Sequence, residues 1–455
     1  MSALSPKHSR ALSLVIAIIA VVILLLPFHA FLTVWVASNF GHYTIARLWK
    51  EGLVTIAGLV VIWWLITDSK LRHEIFANKL SWLIFAYSLL DLILALVAKK
   101  QHSVSSKALA YGLLDDLRFL AMFIICWAAA IKSKLLNAHW QKLILWPAVI
   151  VVLFGLLQMS VLPANVLTHF GYGPKTIMPF ETINNNPNYV RILSTLRGAD
   201  PLGAYLILPI SALAVLLVKF KSRRKDWLAL ALLIGAVVVL FGSYSRAAWI
   251  GALLSLMVIG LVAVSKDWLR KHQKLLYGVL GLGVIVLALG FVALSHSSRF
   301  QNIFYHTQSN SKVAISSNQA HLSALKEGFK QVVDHPFGEG PGSSGPGSVY
   351  NHYRPPLIPE NYFLSVGAES GWIGMILFLA INVYLGWLLY LRRRSPFALT
   401  LFASLIGITF VNLLALSWTD DTLCYIWWGL AGLCIAVAPT ATQHKKSLSD
   451  QVARS

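Results

Sequence analysis

The chain has 455 residues, of which 57% are hydrophobic and only 12% are charged, with a formal net charge of +20. A soluble domain carries roughly twice that charged fraction, so the composition excludes an ordinary soluble protein and indicates a membrane protein. The positive charge does not indicate a nucleic-acid partner, because the sequence contains no basic and aromatic module typical of nucleic-acid binding.

Apolar runs that could cross a hydrocarbon core of roughly 30 Å recur about twelve times, and they predict an all-α, polytopic membrane protein. The first run follows Lys7 and Arg10 and has no obvious cleavage site, so we expect a retained span rather than a signal peptide. Cys126, Cys424 and Cys434 fall inside such runs and are expected to be buried apolar residues. The predicted spans lie near 11–37, 52–66, 80–98, 108–131, 143–162, 200–218, 227–241, 247–265, 275–294, 362–390, 397–417 and 422–438.

The distribution of Lys and Arg predicts the orientation of the chain, because cytoplasmic loops carry the excess of both. The short basic loops and both termini fall on one side, which we expect to be cytoplasmic. An outer loop with Lys99, Lys100 and Lys107 is a minor exception. The predicted regions are residues 1–294 with nine spans and an outer loop near 163–199, an extracytoplasmic loop at 295–361 between spans nine and ten, three spans at 362–440, and a cytoplasmic tail at 441–455.

Two sets of carboxylates lie at or inside the predicted membrane boundary. Asp115, Asp116 and Arg118 fall in the outer half of the fourth span, where charges are costly and usually face a bundle interior or a wet cavity. We expect either an internal ion pair or such a cavity. Asp420 and Asp421 lie in the last outer turn and are expected to be solvated.

Arginines mark the outer boundary of the middle spans. Arg191 and Arg197 lie in the stretch Tyr189–Gly203, which leads into the sixth span. Forked guanidinium donors match phosphate oxygens, so this pair suits a polyanion; lipid headgroup contact or pairing with Asp200 is the alternative. Arg246 lies in the short turn before the eighth span, where it either meets a headgroup pyrophosphate or only extends from the helix end toward water.

The long outer loop contains three recognisable pieces. Residues 316–333 predict a helix that ends before a proline. The glycine-rich stretch from His335 to Gly345 either brings backbone N–H groups to a ligand or forms only turns. At the loop exit, three prolines hold Glu360 and Asn361 at the N-terminus of the tenth span. Glu360 is there either a general base or a helix cap that complements the dipole.

These segments, in this order, resemble the O-antigen ligase and polymerase family of bacterial envelope glycosyltransferases, over about residues 185–390. The matching pieces are Arg191–Gly203, the Ser245–Arg246 turn, His335–Gly338 and Glu360–Leu364. The resemblance implies a GT-C-like membrane fold in the bacterial inner membrane. It also implies an undecaprenyl-pyrophosphate glycan as donor, with no nucleotide sugar, metal or other cofactor.

The resemblance also assigns roles to particular residues. Many ligases carry His at the position of Glu360, so either Glu360 is the base, or His335, His352 or Glu339 takes that role. The implied site residues are catalytic Glu360, Asn361 and His335, pyrophosphate-binding Arg191, Arg197 and Arg246, and supporting Arg118, Glu339, His352 and Arg354, with no metal ligand.

We therefore predict a membrane glycosyltransferase that transfers or polymerises a glycan from a lipid-pyrophosphate donor. The acceptor is a hydroxyl of a glycan, a lipid or a protein. The alternative function is transport or flipping of a lipid-linked sugar. Transporters often show repeated halves and broken helices, and the sequence shows neither, whereas the long outer loop favours chemistry outside the membrane.

Overall fold

The predicted all-α, polytopic fold is confirmed. The structure is a computed structural model that describes residues 6–183, 186–219, 223–263 and 317–436. The α-helices are Pro6–Leu25, His29–Phe40, Tyr43–Arg47, Trp49–Thr67, Ser69–Phe76, Lys79–Gln101, Ser106–Lys132, Leu135–Ala138, Trp140–Ser160, Ala199–Lys219, Arg223–Gly242, Arg246–Ala263, Ser317–Asp334, Tyr362–Leu391, Pro396–Asn412 and Asp421–Ile435. Short 3₁₀ helices are Leu26–Phe28, Val166–Phe170, Gly345–Tyr350 and Ser417–Thr419, and an antiparallel pair of strands joins Glu181–Thr182 to Val190–Arg191.

Among the described residues, six helices are long and apolar enough to cross a membrane, with shorter apolar helices beside them. The six are Ser9–Phe40, Trp49–Thr67, Lys79–Gln101, Trp140–Ser160, Ala199–Lys219 and Tyr362–Leu391. Each of these coincides with a predicted span, because a long apolar run has few other stable arrangements. The predicted span at 275–294, the start of the long loop and the tail at 441–455 lie outside the described residues.

The last helix, Asp421–Ile435, forms the centre of the bundle and is buried along its length. It packs against Ser106–Lys132 through small residues. A Cβ at Gly432 would lie 2.2 Å from the Phe123 carbonyl oxygen. The two helix backbones can therefore approach this closely only because residue 432 is a glycine. Cys126 and Cys424 lie in this interface and are buried, as predicted.

The two ends of the bundle differ in what covers them. At one end the connections between helices are short. There the ion pair between Lys132 Nζ and Asp68 Oδ2, at 2.6 Å, joins the ends of helices Ser106–Lys132 and Trp49–Thr67. At the other, which we call the loop-bearing end, lie residues 161–198, residues 317–361 and the start of the last helix. The helix Ser317–Asp334, here named the loop helix, lies within one residue of the predicted 316–333.

One span contradicts the expectation that the chain has no broken helix. The helix Tyr362–Leu391 is interrupted at Gly371, whose φ of 66° and ψ of −172° are not helical. The glycine-rich loop fills the interruption: Glu339 N–H donates to the Ala368 carbonyl at 3.0 Å, and Trp372 N–H donates to the Pro336 carbonyl at 3.0 Å. Backbone groups freed inside an apolar bundle must find such partners, which explains why the loop inserts there.

Candidate active site

Arg191 joins three segments at the loop-bearing end. It lies on the short strand pair opposite Glu181. Its Nη2 lies 2.7 Å from Asp200 Oδ1, its Nη1 lies 3.3 Å from Glu181 Oε2, and its Nε donates to the Ser243 carbonyl at 2.9 Å. The pairing with Asp200 that the sequence left open as an alternative is therefore present. Through these contacts Arg191 fixes the first turn of helix Ala199–Lys219 against the turn that precedes Arg246.

Arg246 begins the next helix and lies in the same charged region, within electrostatic reach of both Asp200 and Arg191. A glycine explains why these distant segments meet. A Cβ at Gly203 would lie 2.8 Å from the Ser245 Cβ, so the turn can lie directly on helix Ala199–Lys219 only because that position lacks a side chain. The two arginine motifs of the sequence are thus neighbours in the fold.

Arg197 faces a different direction from Arg191. Its Nε lies 3.0 Å from Asp420 Oδ2, and its side chain is 42% exposed. It lines a cavity of about 150 Å³ together with Arg47, Asp420, Asp421 and His29. Of the three predicted pyrophosphate arginines, the structure brings Arg191 and Arg246 together through Asp200 and places Arg197 on the cavity beside them.

Asp421, which lines this cavity, belongs to a set of buried charges that we name the buried charge cluster: Lys50, Arg118, Asp115 and Asp421. Lys50 is fully buried, and its Nζ lies 3.0 Å from Asp421 Oδ2. Arg118 pairs with both Asp115 and Asp421, so the predicted internal ion pair of the fourth span is present. Opposite charges at this depth stabilise each other where water does not reach.

The prediction that Asp420 and Asp421 are solvated is wrong, since they are only 3% and 7% exposed. Asp420 caps the last helix by accepting from Thr422 N–H and Leu423 N–H, both at 3.1 Å. With Asp420 used as the cap, Asp421 lies one residue inside the helix and meets Lys50. Its partners come from helices far away in the sequence, and no local pattern shows them.

The glycine-rich loop uses its backbone donors within the protein. Gly342 N–H donates to Glu369 Oε1 at 2.8 Å, and Ser344 N–H donates to the same oxygen at 3.3 Å. Gly342 also lies against helix Ser106–Lys132, where a Cβ would be 2.1 Å from the Ala108 carbonyl oxygen. The turn-forming alternative therefore fits this segment better than a ligand cradle does.

Glu360 and Asn361 have separate tasks at the start of the tenth predicted span. Asn361 is the helix cap: its Oδ1 accepts from Leu364 N–H at 3.0 Å, and its Nδ2 donates to the Leu413 carbonyl at 3.0 Å. Glu360 has a φ of 50°, a left-handed conformation that costs a residue with a side chain on the order of 1–3 kcal/mol. Its carboxylate contacts His321 Nδ1 on the loop helix.

The remaining predicted residues lie at the other end of the loop helix. His335 Nδ1 lies 3.3 Å from Glu339 Oε1, and Arg354 pairs with the same carboxylate. His352 is exposed and its ring lies 4.3 Å from that of Tyr353. At 1.5 Å per residue, His335 is about 20 Å from His321 along the helix, so His335 does not share a site with Glu360.

A comparison with protein families finds one match, over the middle part of the chain. A family model described as O-antigen ligase matches residues 228–379. The match covers about a third of the chain and supports the resemblance to the O-antigen ligase and polymerase family. Together with the apolar helices, the match indicates a multi-pass membrane protein and supports a function in the transfer or ligation of glycans in general. No curated protein sequence matches the chain.

The O-antigen ligase match includes only some of the charged residues at the loop-bearing end. Arg246, His321 and Glu360 lie within residues 228–379, whereas Arg191 and Arg197 precede them. The fold nevertheless joins both parts, because the Arg246 and Asp200 charges both act on His321. We name this joined region the rim; its members are Glu181, Arg191, Asp200, Arg246, His321 and Glu360.

Sequence reasoning missed two of the residues that organise this end of the molecule. His321 was part of the predicted loop helix, but nothing local distinguishes it from other polar residues there. The position of Lys50 did carry information, because it lies directly beside an apolar run. A lysine at membrane depth is rare and usually pairs with an opposite charge. The predicted second span began at residue 52 and left that lysine outside.

Proposed function

We propose that the protein transfers a glycan from an undecaprenyl-pyrophosphate donor onto an acceptor hydroxyl at the outer face of the bacterial inner membrane. One observation carries the proposal: Arg191, Arg246 and the Glu360 carboxylate occupy one rim at the loop-bearing end. A cationic site for a leaving pyrophosphate and a proton-accepting group are the two requirements of metal-independent glycosyl transfer.

The reaction follows from these positions. The acceptor oxygen attacks the anomeric carbon of the donor, the bond from that carbon to the pyrophosphate oxygen breaks, and the proton of the hydroxyl passes to the Glu360 end of the rim. Arg191, Arg197 and Arg246 stabilise the negative charge that develops on the leaving lipid pyrophosphate. Asp200 and Asp420 hold two of these guanidinium groups in place before the donor arrives.

Orientation and acceptor class complete the proposal. Both termini and the basic short loops lie in the cytoplasm, in agreement with the positive-inside rule, and the rim is then extracytoplasmic. A core sugar of a lipid, a second lipid-linked repeat, a polymer of the teichoic-acid kind or a protein hydroxyl all present the same attacking group. Ligation and polymerisation differ only in which of these acceptors is bound.

A reconstitution experiment tests the function. Purified full-length protein in detergent is given an undecaprenyl-pyrophosphate glycan, a panel of these acceptors and excess EDTA. The expected result is release of undecaprenyl pyrophosphate with formation of a glycan–acceptor product. Loss of the reaction in EDTA with recovery on adding a divalent ion contradicts metal independence, and an intact donor with every acceptor contradicts the transferase proposal.

One observation favours transport as a second candidate. Helices interrupted near the middle of the bilayer are typical of secondary transporters, and Tyr362–Leu391 is interrupted at Gly371. In this chain the interruption is filled by the chain's own loop. Proteoliposomes that carry the donor on one side separate the two functions, because a transporter moves it intact whereas a transferase cleaves it.

A further inference from the structure

His321 and Glu360 form a contact that the function proposed above does not explain. The contact joins His321 Nδ1 to Glu360 Oε2, with side chains that are 45% and 36% exposed. Imidazole with a carboxylate on one nitrogen keeps the proton on that nitrogen and leaves the other nitrogen as an acceptor. Such a pair is a familiar way to prepare a general base.

The local structure holds this contact in place from both sides. Gly328 lies on the same face of the loop helix as His321, two turns further on, and a Cβ there would be 2.3 Å from the Pro359 Cβ. The loop helix therefore lies directly on the residue that precedes Glu360. On the other side, Asn361 caps the next helix, so the Glu360 side chain is not needed for that purpose.

We propose that His321 is the residue that takes the proton from the acceptor hydroxyl, and that Glu360 is the positioning residue that orients the imidazole. This inference rests on the proposed function and specifies its proton-transfer step. As the acceptor oxygen bonds to the anomeric carbon and the pyrophosphate leaves, the hydroxyl proton moves to His321 Nε2. Glu360 accepts the Nδ1–H bond throughout and stabilises the imidazolium that forms.

The electrostatic surroundings agree with this role. The charged groups that face His321 are Glu360, Arg246 and Asp200. Burial lowers the pKa of His321 below its ordinary value of 6.5; the Arg246 charge acts in the same direction, and the Asp200 charge opposes it. A histidine with a lowered pKa is neutral at neutral pH and is therefore able to accept a proton.

The test measures transfer rate and its pH dependence in the reconstituted full-length protein. His321→Gln and Glu360→Gln are each expected to lose about 10² to 10⁴ in rate, the usual contribution of general base catalysis. Because the two residues act as a unit, the double variant should be no slower than His321→Gln alone. Lys326→Gln and Glu327→Gln, at exposed positions of the same helix, are the matched controls and should keep the wild-type rate.

The pH profile separates a proton acceptor from a merely structural residue. In the wild type the rate should rise with pH through the lowered pKa of His321 and then remain level. Glu360→Gln removes a negative charge that favours the imidazolium, so its acidic limb should move to lower pH. His321→Gln should lose that limb. His321→Asn, which keeps an N–H near the position of Nδ1, should behave in the same way and serves as the second variant if His321→Gln unfolds.

Each other outcome overturns a distinct claim. If His321→Gln keeps its rate and its acidic limb while Glu360→Gln loses activity, Glu360 itself is the base and the inference is wrong. If both variants keep the wild-type rate, neither residue carries the proton transfer. If the folded wild-type protein consumes no donor, the proposed function itself is wrong. The wild-type assay shows this before any variant is measured, so it is distinguished from a failure of the inference about His321.

Discussion

The buried charge cluster and the rim contain the same kinds of residues and lie at the same end of the bundle, yet their carboxylates differ in exposure. In the cluster, Lys50 and Arg118 share the carboxylate of Asp421, which is 7% exposed. In the rim, Glu360 and Asp200 have side chains that are 36% and 56% exposed. Charges that are neutralised in the interior hold helices together, whereas charges at a wet boundary remain accessible to a substrate.

The largest expected effect is the loss of the carboxylate that neutralises the cluster. Asp421→Asn removes the carboxylate that Lys50 and Arg118 share but leaves Glu51 beside Lys50 and Asp115 beside Arg118. Breaking a buried pair costs about 3–5 kcal/mol of unfolding free energy, and we expect the lower end of that range here. Thermal unfolding in detergent measures the effect. Asp200→Asn at the rim is the matched control and should change stability by less than about 1 kcal/mol. Equal losses in both variants would remove the distinction between the regions.

The helices could be predicted from the sequence, whereas the partners of the buried and rim charges could not. Within the described residues, the predicted spans and the loop helix agree with helices of the structure to within a few residues, because apolar runs and a following proline are local signals. The partners of Asp421 were not, since Lys50 and Arg118 reach it from other helices. The same reason applies to His321, whose partner Glu360 lies on the far side of the glycine-rich loop.

The broken helix could not be predicted for a similar reason. Glycine occurs often in membrane helices, so Gly371 alone does not indicate an interruption. Two hydrogen bonds to another segment stabilise the interruption: the Pro336 carbonyl accepts from Trp372 N–H, and Glu339 N–H donates to the Ala368 carbonyl. The arginine motifs were more predictable, because their position at the boundary, against the positive-inside trend, already indicated a special role.

A second prediction concerns this interruption, which belongs to the scaffold. At Gly371 a Cβ would lie 2.5 Å from the Pro336 carbonyl oxygen, and the φ of 66° is unfavourable for alanine. Gly371→Ala should therefore destabilise the fold by about 1–3 kcal/mol from backbone strain, with a further cost for the displaced loop. Gly260→Ala, where a Cβ meets nothing within 4 Å, is the control and should be neutral or slightly stabilising in the same melting experiment.

A third prediction concerns the rim arginines and should appear in rate rather than in stability. Arg191→Lys and Arg246→Lys keep the charge and lose the fork that suits phosphate. A charged hydrogen bond contributes about 1.5–3 kcal/mol, so each variant should be roughly tenfold to a hundredfold slower in donor turnover. Arg72→Lys, at the opposite end, is the control. Wild-type rates in both rim variants would mean that these arginines do not hold the donor.

The smallest expected effect is at the partly exposed surface pair of Asp68 and Lys132. The hydrogen bond from Lys132 lowers the pKa of Asp68 below its ordinary value of 3.8. The stabilisation is therefore present above that value and is lost as pH falls through the lowered pKa. A surface pair contributes about 1 kcal/mol or less, so wild type and Asp68→Asn should differ slightly in melting temperature at pH 7 and converge in acid. A difference that grows in acid would contradict this assignment.

Glu360→Gln gives the most direct test of the account, because it keeps the size and hydrogen-bonding capacity of the side chain while removing its charge. Turnover of an undecaprenyl-pyrophosphate glycan and the melting temperature are measured on the same purified preparation. We expect an unchanged melting temperature and a rate lower by about 10² to 10⁴. A folded Glu360→Gln protein that turns over donor at the wild-type rate would contradict the claim that the rim performs the chemistry.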